Sequence, residues 1–294
     1  MEHQRPWLSI IGLFFLAWIW GYNWVVMKVA LRDIGPFAFA GIRALLGGGL
    51  LMVIVFALRR PHTIGSFWGV LLLGLIQTTG FSGIIMWALV SGGAGKTSVL
   101  VYTMPMWLLL LAWLFLGERL RGWQWPAVAS AFLGLICLVH PWRQSSHFFS
   151  TGLAVLAALF WALSGVWNKC LRKRVKVDLL ALTAWQLLLG GIPLFLLSLF
   201  VDFRPVHWTP YLIGALVYNV MFCSAAAWTL WFFALQELPA GIAGMGTLLT
   251  PVVGVMAAWL QLGEAPGIAE AGGMVLVFFG LALLSWVQLR KSRD

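Results

Sequence analysis

The chain is 294 residues long, 62% hydrophobic and only 10% charged, with a mean hydropathy of +0.94. Soluble domains run nearer half apolar and a quarter charged, so a soluble globular enzyme or regulator is excluded: this much apolar surface must in part face lipid. The net charge of +10 would suit nucleic acid in a soluble protein, but the basic residues sit almost entirely in short loops and are read as a topology signal, with no nucleic-acid partner.

In chain order, the elements are apolar runs of about 20 residues, the length that crosses a bilayer as a helix. The first, at 7–30, is too long for the roughly 7–15-residue core of a cleavable signal. The others fall at 36–58, 66–90, 95–116, 123–140, 151–171, 179–200, 209–235, 240–262 and 267–289, ten spans in all. Short loops leave no room for a soluble domain, so the chain is read as a single transmembrane domain, all-α and polytopic, with the lipid bilayer as its constant partner. Cys137, Cys170 and Cys223 lie far apart without metal-type spacing; no metal and no other cofactor is expected.

Loop charges orient the spans. With the N-terminus in the cytoplasm, the inside holds Arg5, Arg59, Arg60, Arg119, Arg121, Arg172, Lys173, Arg174, Lys176, Arg290, Lys291 and Arg293, and the outside only Arg32, Lys96, Arg143 and Arg204, 12 against 4. The positive-inside rule therefore puts both termini in the cytoplasm of an inner (plasma) membrane, and the 141–150 loop outside.

The halves repeat. Pro105–Glu118 and Pro251–Glu264, offset by 146, share seven of fourteen residues. The same offset pairs 132–135 with 278–281 and 88–89 with 234–235. An offset of 141 pairs Trp20 with Trp161 and Lys28 with Lys169, and 143 pairs Gly47-Gly48 with Gly190-Gly191. Small drifts in offset are what loop insertions produce, and several matches in order mark a duplication. Repeat one covers 7–143 and repeat two 148–290. Five spans per half is odd, so the second half enters from the opposite side. Two inverted five-helix repeats are a recurrent architecture of secondary transporters, with the site between the halves near the midplane.

Trp20-Gly21-Tyr22-Asn23-Trp24, then Lys28, Arg43, and Pro105 leading to Leu116-Gly117-Glu118-Arg119, resemble the EamA family of the drug/metabolite transporter superfamily, as do Pro251 and Leu262-Gly263-Glu264. The resemblance covers nearly the whole chain. It implies five plus five spans and export of amino acids or other metabolites. Within the family, the Trp-rich character is most similar to an aromatic amino acid exporter. The second half departs from the first at Gln186, aligned with Arg43, and at Ala265-Pro266, where the first half has Arg119-Leu120.

Polar groups near mid-span cannot reach water along the helix and must face protein or a wet cavity. That selects Gln77, Thr78, Ser82, Tyr102, Trp161, Ser164, Tyr218, Asn219 and Thr250 as candidate substrate contacts, set against the alternative that a Ser or Thr bonds a neighbouring helix. Arg43 lies about 10 Å in by helix rise and either orients helix ends or receives a substrate carboxylate. Lys28 is read as snorkelling, with Asp33 within reach. Pro105 and Pro251, mid-helix in both halves, are candidate hinges. Glu118 and Glu264, at equivalent helix ends, are candidate gate residues. Gly95-Lys96-Thr97 lacks the earlier glycine of a phosphate loop, and no histidine lies deep enough to serve Ser164 as a base, so no catalytic residue is assigned.

None of the nine acidic residues lies near a span centre. Proton-coupled carriers usually keep a carboxylate in the pathway, so transport by substrate gradient alone is expected. The mid-span inventory is read as free of full charge, which favours a zwitterionic amino acid, preferably aromatic, carried by a monomer. Another neutral metabolite or drug-like compound is the alternative; a channel lacks a ring of like residues.

Overall fold

The computed structural model describes residues 6–116, 122–139, 148–227, 230 and 249–291, and every regular element among them is a helix. Six stretches are long and apolar enough to cross a membrane: Ile11–Ala30, Pro36–Ala57, Phe67–Ser91, Ala94–Phe115, Phe148–Arg174 and Leu179–Val201. Four shorter apolar helices are Gln124–Leu138, Pro210–Ser224, Leu249–Leu262 and Ile268–Leu283. Large apolar side chains such as Trp68, Phe200, Leu260 and Val275 point outward, the inside-out pattern a lipid solvent permits.

Helix α1 is Pro6–Ala30 and α2 is Pro36–Ala57. The third span is α3 (Phe67–Gly74), a π-helical stretch π1 (Leu75–Ser82) and α4 (Gly83–Ser91). The fourth is α5 (Ala94–Val101) and α6 (Met104–Leu116), then come α7 (Gln124–Val139), α8 (Phe148–Arg174) and α9 (Leu179–Val201). Next is α10 (Pro210–Val217) running into a second π stretch, π2 (Tyr218–Ala226), followed by α11 (Leu249–Leu262) and α12 (Ile268–Lys291).

The fourth span departs from the expected continuous helix. It breaks at Tyr102-Thr103, and Pro105 stands in the first turn of α6 rather than mid-helix. Proline has no N–H for the Val101 carbonyl, so the ladder is interrupted one turn ahead of the ring. Thr103 instead folds back, donating from N and Oγ1 to the Leu100 carbonyl at 3.2 and 2.6 Å. Pro251 lies in α11, whose described residues begin at Leu249, and Glu118 lies outside the described residues.

Helix ends are tied between elements. Asp202, just past α9, accepts from the Ala38 amide at the start of α2 at 2.7 Å. Burial pushes its carboxyl pKa up, against the pull of the Ala38 and Phe37 amides. Asp178 caps α9 through the Leu180 and Ala181 amides and meets Arg60 at 3.3 Å. Lys28 does not pair with Asp33: its Nζ donates to the Leu89 and Val90 carbonyls at 2.6 and 3.3 Å, a cation on a helix C-terminus. Asp33 accepts instead from Thr209 at 2.7 Å. Depth along the span says nothing of azimuth.

Close helix contacts come in exchanged pairs. A Cβ on Gly134 (α7) would meet the Gly273 carbonyl and Val277 of α12, and one on Gly280 (α12) would meet the Ala127 carbonyl and Ala131 of α7. Gly280, Gly273 and Val277 of α12 lie 146 after Gly134, Ala127 and Ala131 of α7, respectively. Gly48 approaches Leu187 and Leu188, while Gly191 approaches Ala44 and Leu45, now with an offset of 143. Small residues at such crossings let backbones approach, the main source of helix association in lipid.

Candidate functional site

Between α1, α2, π1, the α5–α6 break, α8, α9 and π2 lies a cavity of about 210 Å³. Its wall holds Trp20, Asn23, Arg43, Gln77, Thr78, Ser82, Tyr102, Trp161, Gln186, Asn219 and Ser224, with Trp24, Met27, Ala44, Phe81, Ile85, Val101, Leu187 and Cys223 completing it. Three pairs on or directly behind this wall stand at the repeat offsets of 141 and 143, Trp20/Trp161, Asn23/Ser164 and Arg43/Gln186, and two more, Gln77/Asn219 and Ser82/Ser224, stand 142 apart. The two π stretches also begin 143 residues apart, at Leu75 and Tyr218. A π turn carries an extra residue and recurs at functional sites; here it turns Gln77, Thr78, Ser82, Asn219 and Ser224 onto one wall.

The aromatic side is built on Trp161, which packs at 5.0 Å from the Phe81 ring and edge-on to Tyr102 at 5.6 Å. The polar side is built on Arg43. Its Nη1 donates to Asn219 Oδ1 at 3.0 Å and approaches Met27 Sδ at 3.4 Å. Asn219 is 1% exposed and its amide nitrogen donates to the Ala215 carbonyl, so this side chain fixes the guanidinium rather than standing ready for a ligand. Gln77 Oε1 accepts from Ser164. Thr78 and Thr79 tie π1 to α9 through the Gln186 and Gly190 carbonyls. No carboxylate lines this cavity among the described residues. The Asn23 side-chain oxygen, on a residue 7% exposed, has no hydrogen-bond partner there, a condition that costs about 1–3 kcal/mol when buried.

A family model described as "EamA-like transporter family" matches the chain twice, over residues 7–140 and 149–286. The chain belongs to the EamA-like transporter family. It is therefore a multi-pass membrane transporter and not an enzyme. The uncharacterized transporter YvbV of Bacillus subtilis is 30% identical over 93% of this chain and 90% of its own length. YoaV of the same organism is 28% identical over 96% and 98%. A probable amino-acid metabolite efflux pump of Escherichia coli is 27% identical over 90% of each. One solved crystal structure superimposes with a TM-score of 0.67 at 18% identity, covering 95% of this chain and 96% of that one, which establishes a shared fold.

Of the residues singled out from the transporter's sequence, Arg43, Gln77, Thr78, Ser82, Tyr102, Trp161 and Asn219 share the cavity wall. Ser164 stands one layer behind, bonded to Gln77 and the Trp161 carbonyl. Tyr218 turns away, donating to the Ile19 carbonyl at 2.7 Å and lying against Tyr22 and Phe222. Thr250 is fully buried beside the Tyr102 hydroxyl, off the wall. The expectation of a charge-free cavity is corrected by Arg43: the helix ruler gave its depth, and only the packing shows that its face of α2 looks inward. Asn23 and Trp20 were missed as wall residues, although offset 141 pairs them with Ser164 and Trp161.

Glu264 lies apart from this cavity. Its Oε2 accepts from the Gly95 amide in the first turn of α5 at 3.3 Å, where the helix dipole favours an anion. Beside it, Lys96 and Glu270 form an ion pair at 3.0 Å on the wall of a second cavity of about 170 Å³. Both contacts join the first half of the chain to the second.

Proposed function

We propose that the protein exports amino acids, aromatic ones preferred, by alternating access of two inverted five-helix repeats, from an inner membrane with both termini in the cytoplasm. The observation that carries this reading is the central cavity, walled by repeat-equivalent residues with an aromatic face opposite a polar one. Its size supports a metabolite over a drug: drug-sized ligands occupy pockets of roughly 300–1,000 Å³, above the 210 Å³ found here. The exchanged glycine contacts support the inverted repeat. When residue i meets the counterpart of j, and j meets the counterpart of i, the two surfaces are related as across a two-fold axis. With five spans per half, that axis lies in the membrane plane. The double match of the family model supports the same division.

The finer resemblance to the aromatic amino acid exporter YddG, and the similarity to the probable amino-acid metabolite efflux pump of E. coli, support the substrate class. The cavity wall lacks a carboxylate among the described residues, which supports transport driven by the substrate gradient in a monomer. Pro105 and Pro251 serve as the bending points, and the Glu264 contact with α5 as a latch between halves. Purified protein in liposomes, offered a panel of labelled amino acids and other neutral metabolites with no pH or sodium gradient, tests the reading. Aromatic amino acids should enter fastest. An absolute need for either gradient contradicts the uncoupled mechanism, and uptake of other metabolites alone contradicts the substrate.

A further inference from the structure

Resting on the amino-acid reading, we infer that Arg43 and Asn23 together hold the main-chain end of the substrate, its carboxylate on the guanidinium and its ammonium on the Asn23 side-chain oxygen. Arg43 is the only cation on the cavity wall among the described residues. Both of its described hydrogen bonds leave from Nη1, so the Nε and Nη2 donors have no partner among those residues. A guanidinium presents five donors in a planar fork that matches a carboxylate. Taken out of water without an anion, it carries a large desolvation cost that a substrate carboxylate relieves.

Asn23 supplies the complementary half. Its Oδ1 is an acceptor with no donor, enclosed in the structure on a side chain that lines the same cavity, and a half-turn of the amide about χ2 presents it to the ligand. An ammonium is the donor that satisfies it most strongly, because hydrogen bonds to an ionised partner are about twice as strong as neutral ones. Asn219 is a positioning residue: it accepts from Arg43 and is itself tied to the Ala215 carbonyl.

The repeat makes the asymmetry informative. Where the first half has Arg43 and Asn23, the second has Gln186 and Ser164 at the equivalent positions. Gln186 lines the cavity without charge, and Ser164 is already bonded to Gln77. The cavity is thus near-symmetric in shape and one-sided in charge, which fixes which wall the carboxylate takes. The aromatic wall of Phe81, Tyr102 and Trp161 is left for the side chain.

Competition against labelled phenylalanine in proteoliposomes tests this with three ligands: phenylalanine, its amide lacking the carboxylate, and its des-amino acid lacking the ammonium. The parent should prefer phenylalanine to each analogue by about tenfold or more. Arg43→Gln, which installs the residue its own counterpart carries, should abolish the preference over the amide and keep that over the des-amino acid. Asn23→Ser should do the reverse. Unchanged preferences in both variants, with phenylalanine still carried, overturn this assignment and leave the amino-acid reading standing. A parent that carries no amino acid overturns both. Should Arg43→Gln fail to fold, Arg43→Lys decides: retained preference over the amide supports the charge contact, and its loss in folded protein refutes it.

Discussion

Gly190→Ala is expected to destabilise the transporter by about 1–3 kcal/mol, the range of core overpacking, and Gly190→Leu to abolish folded protein. Gly190 sits in α9 where a Cβ would run into the Gly74 carbonyl and Thr78 of the third span. The obstacle is backbone, so no rotamer change relieves it, and Thr78 is itself bonded to the Gln186 carbonyl one turn away. Any shift of α9 also moves Gln186 on the cavity wall. Gly49→Ala is the control, since a Cβ there meets nothing within 4 Å. In a helix, glycine is about 1 kcal/mol worse than alanine, so the control should gain slightly. Thermal unfolding and size-exclusion profiles in detergent check both. Equal behaviour of the two alanine variants would mean that α9 and the third span are not so close.

Trp161→Ala should separate aromatic from aliphatic substrates. The indole braces both Phe81 and Tyr102, and aromatic pairs contribute about 0.5–1.5 kcal/mol beyond their burial. Removing the central ring of that wall takes a stacking surface from the ligand and loosens the two rings beside it. Apparent affinity for phenylalanine or tryptophan should fall at least about tenfold, which is roughly 1.4 kcal/mol, while alanine or valine changes by less than about threefold. A uniform loss across the panel, with normal expression, would assign Trp161 to helix packing alone.

Much of this site was legible in the sequence because lipid imposes simple rules. Span length and apolarity located helices such as 36–58, seen as Pro36–Ala57, and mid-span polarity selected six residues of the cavity wall. What failed was direction around each helix. Tyr218 and Thr250, selected by their place along the span, face other helices, and Lys28 reaches carbonyls rather than Asp33. Hydropathy has no azimuth when nearly every face is apolar. The π stretches left no mark in composition, since one extra residue per turn changes register and not residue type. Asn23 was within reach of the repeat: the offset that paired Trp20 with Trp161 pairs it with Ser164.

In the proposed function, one cavity between the two halves is the substrate path and opens to each side in turn. Cys223 reports on it directly, being a buried free thiol on the cavity wall. With Cys137 and Cys170 replaced by Ser, a small membrane-impermeant thiol reagent is applied to oriented vesicles from either side, with and without phenylalanine. Modification of Cys223 from both sides, changed in rate by phenylalanine on each, is the predicted result. Modification from one side only, or rates indifferent to every amino acid that the protein carries, would contradict the account.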